Sequence, residues 1–307
     1  MSRRFQTIAL TGKDRDPRVR DSLLILARHL ATAGVRVVLD PAIRMEFADV
    51  PVEALAEAEL GRAADLVIAV GGDGTMLYAS RLVAGHDVPL LGINRGRLGF
   101  LADVTPGEML RRLDEVLGGD YEEDHRLMLE ASIDGNGTDQ HEAPRHRALA
   151  LNDVVLQKRS SVRMLDFENW IDGVYVNTHG GDGLVIATPT GSTAYALSGG
   201  GPIVHPSLEA LSLVPICPHT LSDRPIVVRA DARIEIRVLE RHESQAEVAC
   251  DGVLLGELGA GDRLLVQAAR ERVVLIHPRG HDYFRLLRSK LHWGRGRQGR
   301  FDGSADG

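Results

Sequence analysis

Apolar positions in the first 120 residues alternate between two spacings. Thr7-Ile8-Ala9-Leu10 is a short extended run. From Arg18 to Ala33, Val19, Leu23, Leu26 and Leu30 recur at helical spacing, and Gly34 follows as a C-terminal cap. The pattern then predicts a strand at 35–39, a helix at 52–60, a strand at 65–70, a helix at 75–84 and a strand at 89–93. Asp65 to Val70 is apolar after its first residue, as strands buried on both faces tend to be. Thr105, Pro106 and Glu108 form a helix-start signal for a helix ending at Leu117. Strand and helix in alternation predict a parallel, Rossmann-like α/β sheet.

Beyond Tyr121 the spacing shortens. The segments 127–133, 148–156, 226–228, 233–238, 246–250, 263–267 and 272–276 are brief and partly alternating. Turn signals separate them, among them Asp134-Gly135-Asn136-Gly137 and Asp251-Gly252. Such a pattern predicts an antiparallel, β-sandwich-like unit. The fold class expected is therefore α/β plus all-β, with a boundary between 120 and 125. Tyr283 to Trp293 has helical spacing, and 294–307 is expected to be a disordered tail.

Composition narrows the class without naming a function. The 307 residues suffice for two domains, and 44% hydrophobic with 26% charged residues is globular. A net charge of −7 supplies no general field for nucleic acid or acidic lipid. Two isolated cysteines, Cys217 and Cys250, argue against a disulfide framework or a thiolate zinc site. The N-terminal apolar run is too short for a signal peptide, and no stretch approaches a membrane span. A cytoplasmic protein is expected. His141 and His146 read as solvated residues of a polar loop.

The 33 glycines exceed average usage and cluster. In Gly71-Gly72-Asp73-Gly74-Thr75 they sit where a buried strand meets a helix, the ligand position of open α/β sheets. Backbone amides freed of side chains can close on phosphate oxygens there. An acid among them repels phosphate, unless it accepts a proton or holds a cation; the bland alternative is that Asp73 caps the next helix. A second stretch, Asp182 to Pro202, runs from an apolar strand into Thr188, Thr190, Ser192, Thr193, Tyr195 and Ser198 among small residues. It suits a polar ligand surface or a well-capped turn. Asn152-Asp153 before a strand could meet ribose hydroxyls, or simply turn the chain. No Walker-type loop, complete GxGxxG, HExxH or GxSxG motif occurs.

Together, Gly71 to Thr75, Asn152-Asp153, Thr188 to Tyr195, Gly201 to Pro206 and Leu213 to Pro225 resemble the NAD kinases. The resemblance implies transfer of the terminal phosphate of ATP to the 2′-hydroxyl of NAD's adenosine ribose. It makes Asp73 the proton acceptor and Gly71, Gly72, Gly74 and Thr75 a phosphate cradle. It carries nucleotide contacts onto Asn152, Asp153, Arg163, Asp182, Thr190, Thr193, Ala194, Tyr195, Ala196, Leu197 and Ser198. It implies residues 1–122 with a returning helix at 279–293 as one domain, 123–278 as the other, and a homodimer or homotetramer. No protein metal ligand is expected; Mg²⁺ would arrive on the ATP phosphates, since only Lys13, Lys158 and Lys290 are lysines. The chain departs from the family pattern at Asp153, shorter than a common Glu, and at Tyr78, Gly180, Gly181 and Val253. A diacylglycerol-type lipid kinase shares the glycine loop, and a non-catalytic NAD(P) sensor would share the binding surface.

Overall fold

The computed structural model describes residues 5–96, 99–135, 144–159, 164–239 and 245–293. Arg163, His141 and the tail 294–307 lie outside them. The first part runs β1 (Thr7–Gly12), α1 (Pro17–Thr32), β2 (Arg36–Leu39), β3 (Val52–Ala54), α2 (Glu57–Ala63), β4 (Leu66–Gly71), α3 (Asp73–Val83), β5 (Leu90–Asn94) and α4 (Met109–Leu117). Its strands pair in parallel in the order β5-β4-β1-β2-β3. Asp16 caps α1 through its side chain, Pro17 opens the helix, and Gly34 follows at φ 76°. Val19, Leu23, Leu26 and Leu30 are buried against the sheet with Ile8, Leu10 and Ile68.

One expected element is different. The helix at 52–60 is instead the strand β3 followed by α2, which begins at Glu57. Val52-Glu53-Ala54 extends because its backbone pairs with Val37 to Leu39. Three residues are too few for spacing to separate a strand from a helix turn.

The second part runs β6 (Tyr121–Asp134), β7 (His146–Ala150), β8 (Asp153–Lys158), β9 (Leu165–Ile171), β10 (Val174–Gly181), β11 (Gly183–Ala187), α5 (Tyr195–Ser198), β12 (Ala210–Ile216), β13 (Ile226–Arg229), β14 (Ile234–Val238), β15 (Ala246–Cys250), β16 (Val253–Leu258), β17 (Arg263–Pro278) and α6 (Tyr283–Leu291). A six-stranded antiparallel sheet, β13-β12-β11-β8-β15-β16, faces β6, β9, β14 and the first half of β17. Leu129, Phe167, Ile236 and Leu264 meet Leu156, Ile186, Leu213 and Val248 in one dry core. The stretch 148–156 is two strands broken at Leu151-Asn152, and His146 belongs to β7, opposite Ile133, rather than to a loop.

Segments 263–267 and 272–276 are halves of one strand, β17, with a register shift between Ala268 and Arg272. Its first half pairs antiparallel with β14, and its second pairs parallel with β5 through Leu275 and Ile276. One sheet therefore runs through both parts of the chain. Among the described residues no helix is long and apolar enough to cross a membrane.

Candidate active site

At the rim of the parallel sheet, β4 ends in Gly71 and α3 starts at Asp73. A Cβ on Gly71 would stand 2.2 Å from Thr75 Oγ1, so the hydroxyl folded back over the turn requires glycine. Around Gly72 and Gly74 an added Cβ would meet nothing within 4 Å; their backbone borders open space, as an approaching phosphate needs. Asp73 does not cap α3. Its Oδ2 accepts the Phe100 amide at 2.9 Å and its Oδ1 the Leu101 amide at 3.0 Å. Each oxygen keeps a second lone pair for an incoming hydroxyl.

The segment holding Asp73 was not expected from the sequence. Its signal is Gly99 beside two apolar residues just after β5, and a Cβ on Gly99 would reach 2.0 Å from Asp73 Oδ1. Gly99→Ala should push the carboxylate aside at little cost to folding. We expect kcat to fall about 10-fold or more, with Tm nearly unchanged; an unaltered kcat would show that the amide clamp is dispensable.

Beyond the ends of β1 and β2 opens a cleft of about 560 Å³ lined by Lys13, Arg15, Arg44, Asp40, Thr75 and Tyr78 among others. Three of those side chains are cationic, and Thr75 belongs to the glycine turn. The Tyr78 hydroxyl donates to Glu57 Oε1 at 2.9 Å and more weakly to Asp40 Oδ1 at 3.3 Å. Burial, reinforced by those carboxylates, drives its phenol far above the ordinary range, so it stays a donor.

Asn152 and Asp153 sit at the break between β7 and β8, pinned by a third residue. Asp251, its side chain fully buried, accepts the amides of Leu151 at 2.8 Å, Asn152 at 2.8 Å and Asp153 at 3.2 Å. Arg81 of α3 approaches Asp251 Oδ2 at 3.9 Å, tying the helix that begins at Asp73 to this turn. Burial, with the charge of Asp251 beside it, raises the Asp153 carboxyl to about 7. Burial also raises Asp251, against the three amides and Arg81.

The raised Asp153 value has a signed consequence. Between about pH 4 and pH 7 the folded chain holds a proton on Asp153 that the unfolded chain has released, so stability falls as pH rises through that window. Asp153→Asn should raise Tm more at pH 8 than at pH 5. Equal shifts at both pH values, read by thermal melts, would refute the burial of this charge.

The hydroxyl-rich run is largely spent on its own architecture. Thr188 Oγ1 donates to the Leu151 carbonyl at 2.6 Å, Ser192 Oγ to the Pro189 carbonyl at 2.6 Å and Thr193 Oγ1 to the Thr190 carbonyl at 3.2 Å. Thr190 Oγ1 accepts from buried Arg126 at 3.2 Å. A Cβ on Gly191 would lie 2.0 Å from the Asn152 carbonyl oxygen, which brings this turn hard against the Asn152-Asp153 break. Ala196 is buried in a small cluster with Val155, Val185 and Val214. Ala194 and Leu197 are half-buried, and Tyr195 and Ser198 are exposed. Asp182 stands apart. It pairs with Lys158 Nζ at 2.5 Å, at the end of the β8–β11 pair opposite Asp153. Five strand residues separate those ends, about 17 Å.

Comparison with known proteins adds relatives over nearly the whole chain. Residues 8–121 match the model of the ATP-NAD kinase N-terminal domain, and 151–278 that of the ATP-NAD kinase C-terminal domain. The NAD kinase of Chromohalobacter salexigens is 45% identical over 289 residues, covering 94% of this chain and 97% of that protein. That of Nitrosococcus oceani is 44% identical over 295 residues, covering 96% and 99%. The crystal structure of yeast NADH kinase complexed with NADH superposes with a TM-score of 0.84 at 26% identity, covering 95% of this chain and 89% of that one. An NAD kinase from Archaeoglobus fulgidus in complex with ATP gives 0.72 at 26% identity, covering 93% and 98%.

Proposed function

The chain belongs to the ATP-NAD kinase family and phosphorylates NAD to NADP, and from that premise we propose how its residues divide the work. Asp73 accepts the proton of the adenosine ribose 2′-hydroxyl as that oxygen bonds the terminal phosphorus of ATP. The bond from that phosphorus to the bridging oxygen breaks, and ADP leaves. The observation that carries this reading is the Asp73 carboxylate, held by the Phe100 and Leu101 amides beside two glycines open to space. A proton acceptor fixed in this way contributes roughly 10²–10⁴-fold.

Lys13, Arg15 and Arg44 suit the triphosphate, and the open amides at Gly72 and Gly74 suit phosphate oxygens. Asn152 and Asp153, with the turn from Thr190 to Ser198, form the surface offered to NAD. A divalent cation accompanies the triphosphate, and we take it to be Mg²⁺. Asp14, on the cleft wall with its Oδ2 accepting the Arg44 amide, is a hard oxygen donor that fits such an ion alongside phosphate oxygens. When bound, the ion neutralises charge that builds on the transferring group.

The distance from Asp182 to Asp153 supports a homo-oligomer, dimer or tetramer, in which Asp182 serves a neighbouring copy's site. The matches to separate N- and C-terminal family domains support a division into 1–122 with 279–293 and 123–278. A cytoplasmic location accords with two cysteines that are free. Neither the lipid kinase nor the non-catalytic sensor is favoured, because both halves match one kinase family.

The full chain, given NAD, ATP and Mg²⁺, should form NADP detectable with an NADP-specific dehydrogenase. Parallel arms with GTP or polyphosphate define the donor, and one with diacylglycerol tests the rival substrate. Background NADP formation in every arm would overturn the reading.

A further inference from the structure

A cluster that phosphoryl transfer does not use lies where β17 gives way to α6. His277 is in the half of β17 that pairs with β5, His281 lies between β17 and α6, and Asp103 precedes Val104, which bridges to Ile93 of β5. Asp103 Oδ2 is 3.0 Å from His277 Nδ1 and 2.8 Å from His281 Nδ1. The two imidazoles stack, with centroids 3.8 Å apart and planes 18° from parallel. One ligand atom from each of the three residues falls within 4.8 Å of the others. Neighbouring ligands on a divalent ion with bonds of about 2.0–2.1 Å stand about 2.9–3.4 Å apart, so little movement would admit one.

The surroundings match a ligand set. Asp103 Oδ1 and His277 Nε2 are buried without hydrogen-bond partners. His277 Nε2 points toward Asp124 Oδ2 at 3.5 Å, and Asp124 is itself held by Arg126 at 2.6 Å. A metal-bound histidine characteristically turns its second ring nitrogen to a carboxylate, which fixes the ring. The charges of Arg126 and Arg112 are matched by Asp124 and by Glu108 and Glu115. A cavity of about 290 Å³, bordered by Asp103, Glu108, Gly280, His281 and Asp282, gives access and room for water ligands.

We propose that Asp103, His277 and His281 bind one late first-row divalent cation, Zn²⁺ foremost, which fastens the start of α6 to the segment after β5. Two imidazoles and one carboxylate suit zinc far better than Mg²⁺ or Ca²⁺, which take oxygen ligands. The ion is separate from the one that travels with ATP and takes no part in bond making. It acts at a distance, because Asp103 stands two residues beyond Leu101, whose amide holds Asp73. Bound metal stiffens that segment.

The experiment uses the full chain, free of affinity tag and stripped by chelator, titrated with ZnCl₂ in excess MgCl₂. Calorimetry should give about one equivalent of zinc, and Tm should rise by about 3 °C or more. Co²⁺ should give ligand-field absorption bands. His281→Ala, a partly exposed position, should weaken zinc binding at least about 10-fold and abolish the cobalt bands. Zinc-edge anomalous scattering from a wild-type crystal should place the ion among the three side chains and settles the matter if the variant folds poorly. No zinc bound at about 10 µM, binding unchanged in His281→Ala, or an ion located elsewhere would each overturn the site.

Discussion

Asp73→Asn should lower kcat by at least about 10²-fold while NAD still binds with nearly its normal affinity. The amide side chain has almost the same shape but cannot take up the ribose proton. It also meets the clamp badly. Phe100 and Leu101 each offer an N–H to one oxygen of Asp73, and in asparagine one of those oxygens becomes a second donor. One clamp bond is therefore lost, worth about 1 kcal/mol of stability, which a thermal melt should register as a small decrease. Turnover by the coupled assay, beside NAD affinity by calorimetry, separates the two effects. Wild-type kcat in this variant would remove Asp73 from the chemistry.

Asp251→Ala should be the most damaging single change to folding, about 3–5 kcal/mol. Three backbone amides converge on this buried carboxylate, and alanine would leave all three without an acceptor. Arg81 would lose its only nearby counter-charge described here. Relief of the repulsion on Asp153 offsets part of the cost, which keeps the figure from growing with the number of lost bonds. Tm should fall by about 6 °C or more, and Asp251→Asn should lie between the two. A melt within about 1 °C of wild type would mean the Leu151 to Asp153 turn is held by something else.

Much of this molecule was legible in its sequence. The β4–α3 junction could be read because a buried strand, three glycines and an acid need no tertiary information to look like a ligand rim. The amphipathic face of α1, its proline and its following glycine fixed that helix just as locally. What escaped was non-local. Nothing in Gly99-Phe100-Leu101 announces that its amides bind a carboxylate 27 residues earlier. Asp251-Gly252 looked like a turn, and Asp251 does turn the chain at φ 49°, yet its carboxylate anchors a different loop 100 residues away. The run from Thr188 to Ser198 was expected to face a ligand, whereas several of its hydroxyls bind neighbouring backbone instead. Spacing records which residue types sit near each other along the chain. It does not record which hydrogen bonds they will have spent once the chain is folded.

The 16 residues of β17 are hydrogen-bonded to β14 at one end and to β5 at the other. A strand stitched into both layouts acts as a splint, so the two halves cannot swing like jaws without tearing its ladder. Enclosing a substrate must then fall to the short stretches that border the cleft, above all the one carrying Phe100 and Leu101. The proton acceptor is attached to the part of the molecule that moves, and its aim is set anew each time that stretch settles.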